Sequence, residues 1–217
     1  MKRVILLIAA AAFAIVHCQA QDFKTVLKKT VDDFSATRDQ QQQTELSNKL
    51  GLIAKKWPNE WAGHYYNAYG KAQLSYMEKD EAKRDAYLDE AETELSEAVK
   101  ELGKDNDETY VMAAMIANAR LAVKPQSRWQ KYGPIFKEDL EKARAMNPDN
   151  PRIYYLEAQS KFHTPKMFGG GKKAALPYFE KADGLFAKQS ETDITKPYWG
   201  KPANTYFMGL SKGEDKE

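Results

Sequence analysis

Apolar side chains recur at three- and four-residue spacings along nearly the whole chain, and no segment alternates apolar and polar with a period of two. That pattern predicts helices throughout and no sheet. Phe23, Val26, Leu27, Thr30, Val31 and Phe34 form one such face, followed by a polar break at Ser35–Asp39. Leu46, Leu50 and Ile53 mark a second helix, which Trp57-Pro58 ends because a residue before proline avoids helical angles. Glu60–Lys79 reads as a third helix and the highly charged Asp80–Lys100 as a fourth. Gly103–Asp107 is a turn carrying capping residues for a fifth, Glu108–Val123. Pro125 is expected to stop it, leaving Gln126–Pro134 as a basic, aromatic loop. Ile135–Met146, Ile153–Phe162 and Lys172–Lys188 complete the series. Pro177 predicts a kink in the last of these or a later start.

The helices fall into pairs. Leu46, Leu50, Ile53; Ala91, Leu95, Ala98; Phe136, Leu140, Ala143; and Ala175, Phe179, Ala182 share spacings of four and three on the second helix of each pair. Small residues recur on the first helices as Ala68, Ala114 and Ala158. With Pro58 and Pro148 closing pairs, this resembles the tetratricopeptide repeat, a helical hairpin of about 34 residues. The two prolines are 90 residues apart, against about 68 for two consensus repeats. The intervals Ala68–Ala91 and Ala114–Phe136 absorb the excess, so insertions are expected inside the two central hairpins. The consensus Leu-Gly pair is missing.

The resemblance implies an all-α fold, with tetratricopeptide-like antiparallel helical hairpins stacked as a short right-handed solenoid. Repeats are placed at about 22–58, 59–104, 105–148 and 151–188 within a single domain, 21–210. A capping segment, 189–210, includes a short helix at Ala203–Leu210, with Tyr198, Trp199, Tyr206, Phe207 and Leu210 covering the last apolar face. Residues 211–217 read as a charged tail.

The N-terminus is of a different kind. Met1-Lys2-Arg3 precedes an apolar run of 13 residues, Val4–Val16, and small residues at Cys18 and Ala20. That predicts a secretory signal peptide over residues 1–20 cleaved after Ala20, with export to a bacterial periplasm. Lipidation at Cys18 is the rival reading, disfavoured by the bulky His17 before it. Cleavage removes Lys2, Arg3 and the single cysteine, changing 33 basic residues to 31 against 31 acidic ones. A neutral mature chain gives no case for nucleic acid, and no further run is long enough to span a membrane. Disulfides and thiol chemistry are excluded from it.

Catalysis is not expected. His64 and His163 lie in different repeats outside any HxxxH or HExxH spacing, no nucleophile elbow is present, and no cofactor or metal is implied. Gly169-Gly170-Gly171-Lys172-Lys173 lacks the GxxxxGK[ST] spacing of a phosphate loop and reads as a connector. Aromatic density is the stronger signal: Trp57, Trp61, Tyr65, Tyr66 and Tyr69 cluster within 13 residues. In the tetratricopeptide family the first helix of each hairpin lines a concave groove. The resemblance therefore implies a partner-binding groove containing Tyr65, Tyr69, Met115, Asn118, Tyr155, Gln159 and Phe162. It lacks the paired Lys and Asn residues with which chaperone-binding relatives clamp a C-terminal carboxylate. The segment carrying Arg128, Trp129 and Tyr132 is a second candidate contact, with packing of Trp129 over the hairpin as its alternative. These features predict a protein–protein interaction scaffold engaging a protein or peptide partner. A ligand-binding accessory subunit of a bacterial envelope transport system is the alternative. Whether the C-terminal segment occupies the groove is open at this level.

Overall fold

A computed structural model describes residues 22–213. The predicted signal peptide and cleavage position, Cys18 and the end of the tail lie outside the described residues. Nine α-helices are described: α1 (22–36), α2 (Gln40–Lys56), α3 (Trp61–Met77), α4 (Glu81–Leu102), α5 (Asp107–Val123), α6 (Pro125–Met146), α7 (Pro151–His163), α8 (Lys172–Phe186) and α9 (Lys201–Lys212). Among the described residues there is no strand, and no helix is long and apolar enough to cross a membrane.

Local chemistry sets the helix starts. The side chains of Asp39, Asp80 and Asn150 accept backbone N–H bonds at the starts of α2, α4 and α7. Asn106 and Thr109 form a reciprocal capping box at α5. Gly103 ends α4 in the left-handed region at φ 72°, which glycine adopts without a Cβ clash.

One segment corrects the sequence reading. Gln126–Pro134 is not a loop, because α6 begins at Pro125 itself. Proline is well tolerated at a first helical position, where its missing N–H has no intrahelical partner to lose. The same residue therefore ends α5 and starts α6. Pro134 sits inside α6, and α8 likewise continues through Pro177 rather than starting after it.

Packing follows the pairing expected. Helix α3 packs on α4, α5 on α6 and α7 on α8 as hairpins, and α9 lies against α8. The first helices also touch in succession, α3 to α5, α5 to α7 and α7 to α9. Ala68, Ala114 and Ala158 are fully buried, so helices approach closely at those positions. The aligned second-helix residues are all in the core or packed against it. The two central hairpins have long second helices, with α4 and α6 each spanning 22 residues. Helices α2 and α3 meet through glycine, where a Cβ at Gly70 would lie 3.0 Å from Ser47 Oγ and 3.1 Å from Leu50 Cδ1.

His64 ties α3 to α4. Its Nδ1 donates to Glu94 at 2.7 Å and its Nε2 to the Pro58 carbonyl at 2.9 Å, an arrangement that uses both ring protons of the imidazolium. The Glu94 hydrogen bond raises the His64 pKa above its ordinary value against the opposing effect of burial. A raised folded-state pKa means that this stabilisation is complete below the unfolded value of about 6.5 and is lost as pH rises through the folded value. Urea unfolding at about pH 6 and about pH 8.5 should show the loss, and His64→Gln should remove that component of the pH dependence.

Candidate functional site

The first-helix face carries most of the aromatic residues of interest, and the C-terminal segment divides it. From α8 the chain turns back across the starts of α7, α5 and α3 and reaches α1. Its anchor is a buried ion pair. Arg152, on α7, is fully buried and pairs through its guanidinium with Glu108 on α5, Nε lying 3.0 Å from Oε2. Asn150 Nδ2 and the Tyr65 hydroxyl also donate to Glu108, at 2.7 and 2.9 Å. Arg152 further donates to Gln189 at 3.0 Å, whose amide donates to the Pro197 carbonyl at 3.0 Å.

Residues 193–199 then form a strap over the face. Trp199 Nε1 donates to the Tyr65 hydroxyl at 2.8 Å. Its ring stacks on Tyr69 with centroids 4.9 Å apart and meets Tyr155 edge-on at 6.3 Å. Tyr198 donates to Asp32 at 2.7 Å and accepts from Lys28 at 3.2 Å, while Asp193 pairs with Lys24 at 3.3 Å. These contacts fill the half of the face formed by the helix starts.

The other half is uncovered by the strap. Gln73 and Tyr76 of α3, Asn118 of α5 and Gln159 and Phe162 of α7 all retain solvent exposure there. Asn118 Nδ2 donates to the Tyr76 hydroxyl at 3.2 Å, and that hydroxyl reaches the Met115 carbonyl at 3.4 Å. Arg38, just past the end of α1, is exposed. One turn earlier, Phe34 meets Tyr69 edge-on at 5.9 Å, which brings the end of α1 alongside α3. Burial pushes the Tyr69 and Tyr76 phenols up to about 12. Burial, reinforced by Tyr69 and Tyr76, also raises Tyr155. All three are therefore neutral hydroxyls at ordinary pH.

The residues expected in the groove separate accordingly. Tyr69 and Tyr155 converge beneath Trp199. Tyr65 lies wholly in the core and serves the Glu108 cluster rather than an open surface. Met115 is buried and contributes its carbonyl. Asn118 and Gln159 line the uncovered half, and Phe162 leads from it into a cluster with His163, Phe179 and Phe207. His163 keeps part of its surface, yet desolvation by its surroundings pushes its pKa down. Arg128, Trp129 and Tyr132 do not join this face. They sit on α6, where Arg128 is committed to Asp85 at 2.6 Å, Lys131 covers Tyr132 at 4.9 Å and Trp129 is 58% exposed. Of the cap residues, Tyr198 and Trp199 are buried, whereas Tyr206 is 61% exposed and does not cover the core. Sequence reasoning passed over Arg38 and Tyr76, which carry no motif.

Chemically the face offers hydroxyl and amide donors and aromatic surface, with the exposed Arg38 guanidinium nearby. Among the described residues no group of three or more His, Cys, Asp or Glu is placed to hold a metal ion. Helical hairpins in succession, with an aromatic and amide face on their first helices, define the class as an all-helical protein of packed hairpins. The chain is similar to the HusA haemophore from Porphyromonas gingivalis, with 34% identity over 90% of this chain and 95% of that one, and a TM-score of 0.75. At that identity and coverage, this chain belongs to the same family as the HusA haemophore. No protein-family model matches the chain, and no curated protein matches it.

Proposed function

We propose that this protein is an exported, non-enzymatic carrier of haem or a related tetrapyrrole, the ligand-binding accessory role that a haemophore has. The observation that carries the reading is its family relation to the HusA haemophore across nearly the whole chain. The uncovered half of the first-helix face supports it, because planar apolar ligands favour aromatic surface with a few placed polar groups. Tyr76 and Phe162 supply aromatic edges, and Asn118 and Gln159 supply amides. Binding here means shape, stacking and hydrogen bonding, with no covalent step. The solenoid arrangement and the tetratricopeptide resemblance remain part of this reading, as the way successive first helices make one continuous face. A protein-binding role is the second reading, favoured by the exposed Trp129 on α6, outside the ligand face.

Titration of the mature protein with haemin, followed by Soret absorbance and tryptophan fluorescence, tests the carrier reading. Saturable binding is expected, weakened about tenfold or more by a Tyr76→Ala/Phe162→Ala double variant that remains helical. Absence of saturable binding would overturn it.

A further inference from the structure

Arg38 has a position unlike that of the other arginines. Arg84 donates to the Ser75 carbonyl, Arg120 and Arg128 pair with Asp85, Arg144 with Glu141 and Glu157, and Arg152 with Glu108. Among the described residues Arg38 is the one arginine with neither an ion pair nor a hydrogen bond, and it is exposed. A second polar group nearby also lacks a partner. Gln159 Nε2 is buried with no acceptor in good hydrogen-bond geometry, its amide lying against the Tyr155 hydroxyl. A buried donor without an acceptor is unfavourable, so such groups call for an explanation. Gln159 follows Tyr155 by one turn of α7, and the Phe34 contact with Tyr69 sets the end of α1, and with it Arg38, beside the same face, within electrostatic reach of the Tyr155 and Tyr69 hydroxyls. Arg38, Gln159 and these phenols therefore face one region, next to the amide of Asn118 and the hydroxyl of Tyr76.

That region has no carboxylate of its own to meet these donors. Helix α3 contains no acid, and both acids of α5 lie in its first turn, where Asp107 accepts from Asn147 and Asn150 and Glu108 from Arg152. The single acid of α7, Glu157, is held by Arg144 of α6 at 2.7 Å. Asp33 and Asp39, near Arg38 in sequence, are engaged with Lys29 and with the start of α2. A cation and a buried amide donor without an acceptor form the complement of an anionic oxygen ligand, and guanidinium with carboxylate is a strong pairing of that kind.

We propose that Arg38 and Gln159, with the Tyr155 hydroxyl, form a carboxylate-recognition subsite at the edge of the ligand face. The proposal rests on the tetrapyrrole reading and adds to it which end of the ligand is held: a side-chain carboxylate lies at Arg38, and the macrocycle extends over Tyr76 and Phe162. A carboxylate there gives Arg38 its ion pair and Gln159 its acceptor.

The test compares haemin with haemin dimethyl ester, whose carboxylates are capped, on the mature full-length protein. The native protein is expected to bind haemin about tenfold tighter than the diester, with the difference shrinking at high salt. Arg38→Gln should weaken haemin about tenfold and leave the diester unchanged, because the side chain is exposed and supports no contact within the fold. Gln159→Leu should act in the same direction. Equal affinity of the native protein for haemin and diester would overturn the subsite while leaving the carrier reading intact. Equal weakening of both ligands by Arg38→Gln would also overturn it. Saturable binding of neither ligand would overturn both the subsite and the tetrapyrrole reading.

Discussion

Arg152→Met is expected to destabilise the protein by about 3–5 kcal/mol, read from urea unfolding at neutral pH. The guanidinium and the Glu108 carboxylate are both buried, and each depends on the other for compensation. Removing the cation strands a carboxylate that retains only the neutral donors Asn150 and Tyr65. The loss also reaches the strap, since Arg152 holds Gln189 and its guanidinium lies 5.7 Å from the Trp199 ring. The double variant Glu108→Leu/Arg152→Met separates the two contributions. If the stranded charge dominates, the double variant recovers most of the stability, because apolar residues can replace a buried pair at little cost. If the double variant is as unstable as the single one, the hydrogen bonds to the strap and to Asn150 dominate instead.

Trp199→Ala should cost a similar amount, about 3–5 kcal/mol, in the range for emptying a buried aromatic site. The indole is 3% exposed, stacks on Tyr69 and satisfies the Tyr65 hydroxyl. Its removal leaves a cavity over Tyr69 and Tyr155 and releases the strap from the first-helix face. Thermal unfolding measures the stability change. Amide hydrogen exchange should show its local consequence, increased exchange at the start of α9 and in the strap, with α4 and α6 protected as before. Trp199→Phe should recover part of the loss, since it keeps a ring on Tyr69 and lacks only the indole N–H. Loss of protection throughout the chain would mean instead that the strap is integral to the whole core.

Much of the helical framework was readable in the residues. The alternation of small first-helix residues Ala68, Ala114 and Ala158 with the second-helix sets is a local signal, because a helix repeats its facing positions every three or four residues. The long intervals between those residues coincide with the 22-residue α4 and α6. Pro125 was ambiguous for a local reason: proline both stops one helix and starts the next, and sequence spacing does not say which. The site was less legible. Tyr65 and Tyr69 are one turn apart on α3, and the same periodicity assigns them one face. One of them serves the Glu108 cluster in the core, and the other forms the floor beneath Trp199.

The sequence by itself determined the helices, their pairing and the small residues at the close approaches, because these depend on neighbours within a few turns of the chain. The tertiary structure alone decided which aromatic residues are core, which are covered and which are free to meet a ligand. Those outcomes depend on contacts between residues far apart in the chain. Trp199 finds Tyr65 across 134 residues, Tyr198 finds Asp32 across 166, and Arg152 finds Glu108 across 44. Residues 189–200 have no hydrophobic period of their own, and their course is set by the polar and aromatic partners that the folded helices present. The exposure of Arg38 without an ion pair is decided in the same way, by where acids such as Asp33, Asp39 and Glu157 find their partners.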